Sequence, residues 1–401
     1  MKKKVISSLA TLLVGVSTTA YADSYYTGNI NLGPVNMGTY TSSYGYVDSN
    51  NISTMAVGAT LPISNNQNHN RFGSLNLNYG SVKAKTKTYA GGEVESNKID
   101  TTAIGAQAGI KNKGSHNQFL TINVNKGRVS AKTITKAHGD VEYNYISTTA
   151  VGASTGIKSK GHRNKFFTIN LNKSRVKAKT LTKSRDAIYG NEISTVAVGA
   201  STGIKNKGPR NKFFTITANK GRVSAKTITK ARDDVDHNYI STVAMGASTN
   251  IDNKGSHGKF FTVNLNKGDV SAMTTTMAGD NIHGNEISTV AVGAQTYLQS
   301  KGHGNRFLSI NANAGDVSAM TNTWAYNSVD NNTIETTAVG ASLSIDNTSY
   351  YSTPNRFGSL NLNLGNVAAQ TNTMGSSVHG NSISTVGVGA STSITTHTAD
   401  Y

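Results

Sequence analysis

Near its middle the chain runs Phe167-Thr168-Ile169-Asn170-Leu171-Asn172-Lys173-Ser174-Arg175-Val176-Lys177-Ala178-Lys179-Thr180-Leu181-Thr182. The first five positions alternate apolar and polar, the two-residue period of a β-strand. Asn172-Lys173-Ser174 interrupts that period with turn-forming residues. Beyond it Val176, Ala178, Thr180 and Thr182 share one face of a second strand, and Lys177 and Lys179 share the other. After a polar loop, Ile193 to Ile204 gives a longer strand of small and β-branched residues, ending before Lys205-Asn206-Lys207-Gly208. Pro occurs only four times, and no 3.6-residue apolar period appears outside the first 22 residues. The fold class is all-β.

The same pattern returns throughout the chain. The glycine of the Val-Gly-Ala triplet recurs at Gly58, Gly105, Gly152, Gly199, Gly246, Gly293, Gly340 and Gly389, in steps of 47 residues with a last step of 49. Ile52 to Ile383, Val35 to Val367 and Asn31 to Asn363 form further columns with eight members each, and a Thr-x-Thr pair recurs from Thr39 and Thr41 to Thr371 and Thr373. Such a period marks a repeat architecture in which each unit buries its faces against its neighbours. Residues 23–401 are therefore read as one β-solenoid of eight copies, which leaves no room for a separate catalytic domain.

Two windings fit a 47-residue copy. One coil per copy stacks like on like about every 4.8 Å. Two coils of roughly 23 residues alternate the half containing Phe166 with the half containing Ile193. One coil per copy would place Lys132, Lys179 and Lys226 in adjacent rungs, at roughly 1 kcal/mol of repulsion per pair even in water. That charge column favours two coils. The Asn columns suit side-chain ladders along the stack, or a left-handed backbone at strand ends.

Composition narrows the function. The chain has 40 Gly, 45 Asn, no Cys and one Trp, with 36% hydrophobic residues. Without cysteine there is no disulfide framework, thiolate metal site or Cys nucleophile. Lys2-Lys3-Lys4, the apolar Val5–Val16 and Ala20-Tyr21-Ala22 read as an export signal over residues 1–22. That apolar stretch is too short to span a membrane as a helix, so an exported protein without a helical anchor is expected.

Residues that break the repeat carry little chemistry. Asp233, Asp234 and Asp236 occur together in one copy only; His69, His116 and His257 share a position, with His162 and His303 one residue earlier. The Asp trio could bind a hard cation, but a solvated loop is its default reading; the His set has neither helical nor close-chain metal-ligand spacing, and no catalytic residue, metal ligand or cofactor is expected. The Thr-x-Thr columns could form an ice-binding array, but Val129 and Ala131 share a face with Thr133 and Thr135, which points that face inward.

Charge is the remaining clue. The chain carries a net +18; residues 91–250 contribute +16 and residues 251–401 contribute −3. Lys158, Lys160, Arg163, Lys165, Lys173, Arg175, Lys177 and Lys179 crowd into one short span, and are the candidate contacts for anionic polysaccharide or extracellular DNA. The plainer role for such lysines is to keep β edges soluble.

The exported, cysteine-free, Gly- and Asn-rich repeats resemble the secreted functional amyloids of bacteria, the curli-type fibre subunits. Those are built from coils of roughly 22–23 residues and carry Gln columns, where this chain has six Gln in all. Ser194–Ala200 is also similar to the head repeats of trimeric autotransporter adhesins, whose stalk and barrel anchor are not found here. The resemblance to curli implies a self-associating extracellular fibre of a Gram-negative-type bacterium, serving biofilm matrix or surface adhesion. The repeat columns begin by Asn29 and run to Ile394, so open ends able to recruit further copies are expected. The alternative is a non-polymerising secreted solenoid adhesin that binds anionic polymers; ice binding ranks third.

Overall fold

The computed structural model describes residues 23–350 and 354–399; the expected export signal at residues 1–22 lies outside them. Each copy winds once through four strands. In the copy quoted above these are Lys165–Asn172, Val176–Lys183, Ile188–Tyr189 and Glu192–Asn206. Each pairs in parallel with its counterparts one copy earlier and one copy later, so that Thr168 lies between Thr121 and Thr215. Four eight-stranded parallel sheets result, called here the first to the fourth in the order of the coil. The chain is a β-solenoid.

The 47-residue register contradicts the two-coil winding. Lys85, Lys132, Lys179 and Lys226 are direct neighbours in the second sheet, the arrangement that charge repulsion had disfavoured. These side chains point outward, half-buried at Lys132, Lys179 and Lys226, and their repulsion is outweighed by what each rung gains. Each added rung gains two or three rows of Asn–Asn bonds, a stacked Phe ring and four strands of backbone pairing. The Phe-bearing and Ile-bearing halves face each other across the coil instead of stacking. Phe166 packs with Ile204 in one cluster, and Val176 and Ala178 pack with Ala197 in another.

The fourth-sheet strand is long enough to cover both the second and the first sheets. It can do so because its inward alternation slips by one residue at the Val-Gly-Ala triplet: Ala197 and Ala200 are both fully buried. The slip brings Gly199 beneath the Asn ladder. A Cβ there would lie 2.4 Å from the Asn219 side chain and 2.5 Å from the Gly246 carbonyl oxygen, which explains the invariant glycine of that column. The strand also runs two residues beyond Ile204, because the Asn206 amide donates to Asn253 Oδ1 (2.8 Å) and to the Gly208 carbonyl (2.9 Å). Lys205 is therefore an outward strand residue, not a loop residue.

Ladders run the length of the stack. Asn31, Asn78, Asn125, Asn172, Asn219, Asn266 and Asn313 each donate Nδ2 to the Oδ1 of the next at 2.7–2.8 Å, the last of these bonds ending on Asn363. The left-handed backbone positions are held by other residues: Ser49, Ser96, Tyr143, His237 and Asn331 in one column, His69, His116, Arg163, Arg210 and His257 in another. The residue after each is often an Asn whose Oδ1 caps the previous rung's N–H, as Asn144 caps Asn97 at 2.9 Å. Phe72, Phe119, Phe166, Phe213, Phe260 and Phe307 stack with centroids 4.7–5.0 Å apart. Thr133 is fully buried and its hydroxyl bonds Thr101 (2.7 Å) and Thr148 (2.6 Å). Repeated in every copy, this makes a hydroxyl zigzag between the second and fourth sheets. These Thr columns lie in the core and present no array to ice.

Candidate anion-binding surface

The eight candidate cations do not form one patch, because the span that contains them winds past three outer faces. Lys158 points out from the fourth sheet; Lys160 and Arg163 sit on the following corner; Lys165 opens the first-sheet strand. Lys173 and Arg175 lie on the next corner, and Lys177 and Lys179 point out from the second sheet. Each instead joins a row along the axis. Lys111, Lys158 and Lys205 are neighbours in register. So are Lys165, Lys212, Lys259 and Arg306, and Lys85, Lys132, Lys179 and Lys226.

The second-sheet row is the most crowded. Partial burial and then the charges of Lys179, Lys87, Lys177 and Lys136 hold Lys132 below the usual lysine range. Lys179 is lowered by partial burial, then by Lys226 and Lys177. For Lys85 the Lys87 charge comes first, then desolvation. The row ends abruptly: Met273 and Met320 follow Lys226 in the same column. A second cationic trough lies between the first and second sheets, where Arg128, Lys173, Arg175, Lys220, Arg222 and Lys267 meet a single carboxylate, Asp269. Among the described residues the one Lys or Arg paired with a carboxylate is Arg222, 3.2 Å from Asp269 and largely exposed. Exposed pairs of this kind contribute little stability, so most of these cations are available to an outside anion. Lys126 is 4.5 Å from the Tyr79 ring centroid and Lys136 5.5 Å from that of Tyr89.

The acidic and imidazole groups lie elsewhere. In the third sheet Glu95 and Glu142 stack in register, and burial together with Asp140, Glu93 and Glu95 raises Glu142 above the usual carboxylate range. The trio Asp233, Asp234 and Asp236 does not converge: Asp234 accepts the Asn281 backbone N–H at 2.9 Å, and Asp236 is raised mainly by burial. His69 stacks on His116 at 4.9 Å, and His116 meets His162 edge-on at 5.1 Å. Among the described residues no three His, Asp or Glu side chains are grouped to hold a metal ion.

Sequence reading missed one outer feature. Phe167, Phe214 and Phe261 form a second ring row with centroids 4.8 Å apart, pointing away from the core. The signal was present, since two consecutive Phe residues in an alternating strand must face opposite ways.

No curated protein and no solved structure matches the chain. The curli-type resemblance rests on architecture alone, and the observed coil is about twice the length of a curli coil. No helix among the described residues is long and apolar enough to cross a membrane. Residues 92–356 match the family described as holdfast attachment protein D. That match covers well over half of a single repeating architecture, and the chain belongs to this bacterial surface-adhesion family, whose members are proteins of the cell surface or its exterior.

Proposed function

We propose that this surface protein is the subunit of an attachment fibre, in which solenoids stack end to end. The observation that carries this reading is the match between the side-chain columns of the first and last described coils. Among the described residues the outermost strands of all four sheets have one neighbour each. On the last coil Ile383 and Ile394 are 47% and 53% exposed, whereas the interior members of the Ile383 column are fully buried, and Ile251, Leu298 and Ile345 are buried in the column of Ile394. The first coil offers the matching columns: Tyr25 continues the Phe stack at 5.1 Å from Phe72, and Asn31 continues the Asn ladder. A following copy could thus accept the Asn363 amide on its own Asn31 and cover Ile383 with its Ile52. Open sheet edges recruit such strands unless they are blocked.

The test is electron microscopy and sedimentation of the exported chain at micromolar concentration. Unbranched fibres with a meridional spacing of ~4.8 Å are expected, and preformed fibres should remove any lag. A monomer that persists for days, with its end coils protected from hydrogen exchange, would rule the fibre out.

A second reading is favoured by the cation rows: the sides of the solenoid hold an anionic polysaccharide or DNA without sequence preference. Binding should weaken steeply with salt, and replacing Lys85, Lys132, Lys179 and Lys226 with Gln should flatten that dependence. An unchanged salt slope would dismiss this row as the contact.

A further inference from the structure

The outer face of the first sheet is chemically unlike the other outer faces. It carries the ring row of Phe167, Phe214 and Phe261, extended by Leu120 and Leu308, which are 45% and 46% exposed. Beside it lies a second apolar column that includes Ile122, Ile169 and Ile310, each half-buried. Along the other side of the rings runs the cation row of Lys165, Lys212, Lys259 and Arg306, all exposed. Rings and cations wall a groove of about 780 Å³ parallel to the solenoid axis. None of the eight strands of this sheet contains Asp or Glu. By contrast, the outer face of the fourth sheet mixes Ser, Thr and Gly with half-buried valines such as Val151 and Val196 and with both charges, as at Lys158, Lys205 and Glu192, and that of the second sheet presents lysines in its middle copies.

A contiguous exposed apolar row of this kind marks a docking surface, and the cation row selects its occupant. A hydrophilic polyanion would satisfy the ammonium groups but leave the rings in water. A second copy docked on the same face would cover the rings, yet it would bring together two strand sets that contain cations and no acid. An anionic lipid surface satisfies both rows. Apolar side chains then sit at the boundary between headgroups and acyl chains, and Lys and Arg reach the acidic headgroups from a short distance. The in-register stack holds successive rings 4.8 Å apart with their planes within 2° and 10° of parallel, so several coils can engage one surface together.

We infer that the first sheet's outer face docks the solenoid lengthwise onto an anionic lipid surface. The ring row enters the interface, and Lys165, Lys212, Lys259 and Arg306 contact the headgroups. This is independent of end-to-end stacking: a chain that never polymerises would dock in the same way.

The chain's single Trp supplies a built-in control, because Trp324 lies on the outer face of the second sheet, 40% exposed. The experiment uses the full chain with vesicles of phosphatidylcholine containing phosphatidylglycerol, and with phosphatidylcholine alone. A Phe214→Trp, Trp324→Phe variant should show a blue shift and quenching by brominated acyl chains on the acidic vesicles. Trp324 of the parent chain should show neither. Binding should weaken about fivefold for each of Lys165→Gln, Lys212→Gln and Lys259→Gln. The combined Phe167→Ser, Phe214→Ser and Phe261→Ser variant, altered only on the outer face, should lose the binding that survives high salt. Quenching of Trp324 but not of position 214 would assign docking to another face and overturn the inference. So would equal binding to neutral vesicles, or a lipid-free lateral dimer that the Phe→Ser variant dissolves.

Discussion

Thr180 and Thr182 stand two residues apart on the same strand and face, and both are fully buried, yet their removal should have opposite consequences. The Thr180 hydroxyl donates to Thr148 Oγ1 at 2.8 Å and accepts from the Thr195 hydroxyl at 2.6 Å. The Thr182 hydroxyl has no hydrogen-bond partner among the described residues, and the same holds for Thr88, Thr135, Thr229 and Thr276 in its column. Valine matches threonine in shape and suits a strand equally well. Thr180→Val removes two buried bonds at about 1 kcal/mol each, so it should destabilise the middle copies by about 2 kcal/mol. Thr182→Val removes a desolvated, unpartnered hydroxyl and should be neutral or stabilising, by up to ~1–3 kcal/mol. Solenoids unfold by segments rather than strictly all at once. The suitable assay is therefore native-state hydrogen exchange on peptides covering residues 129–253, supported by urea melts of the full chain. Equal losses for the two variants, or a larger loss for Thr182→Val, would refute the hydroxyl zigzag as a stabilising network.

Two further outcomes follow from the coil. Ile193→Asp or Val176→Asp places a carboxylate at a fully buried position in stacked rungs, at several kcal/mol, whereas Lys205→Gln on the outward face should be nearly silent; comparable effects in thermal melts would invalidate the face assignment. Lys85, Lys132 and Lys179 have folded pKa values below the ordinary lysine value. The unfolded chain therefore binds more protons as pH approaches about 10.4, and this row's contribution to stability should rise with pH through that window. Urea midpoints at pH 8 and 9.5 should rise more in the parent chain than in a Lys132→Gln, Lys179→Gln variant, and equal rises would contradict it.

The sequence by itself determined the period and the strand faces. Columns such as Ile193, Val176 and Gly199 recur because the backbone returns to the same environment every 47 residues, and alternation within each strand assigned Val176 and Ala178 inward and Lys177 and Lys179 outward. It also exposed the Thr pairs as core, through the Val and Ala that share their face. The number of coils per period was beyond it, because local repulsion along the lysine column was visible while the opposing gain was not. That gain is the sum of Asn and Phe contacts between residues 47 apart and Thr contacts between residues 15 and 32 apart, together with Phe166 meeting Ile204 across the core. The functional surface divided in the same way. Eight cations adjacent in sequence read as one cluster, but a coil that turns through four strands sends them to three faces. Only stacking shows which of them become rows, because a row is made from residues one full turn apart, a separation that the tertiary winding alone sets.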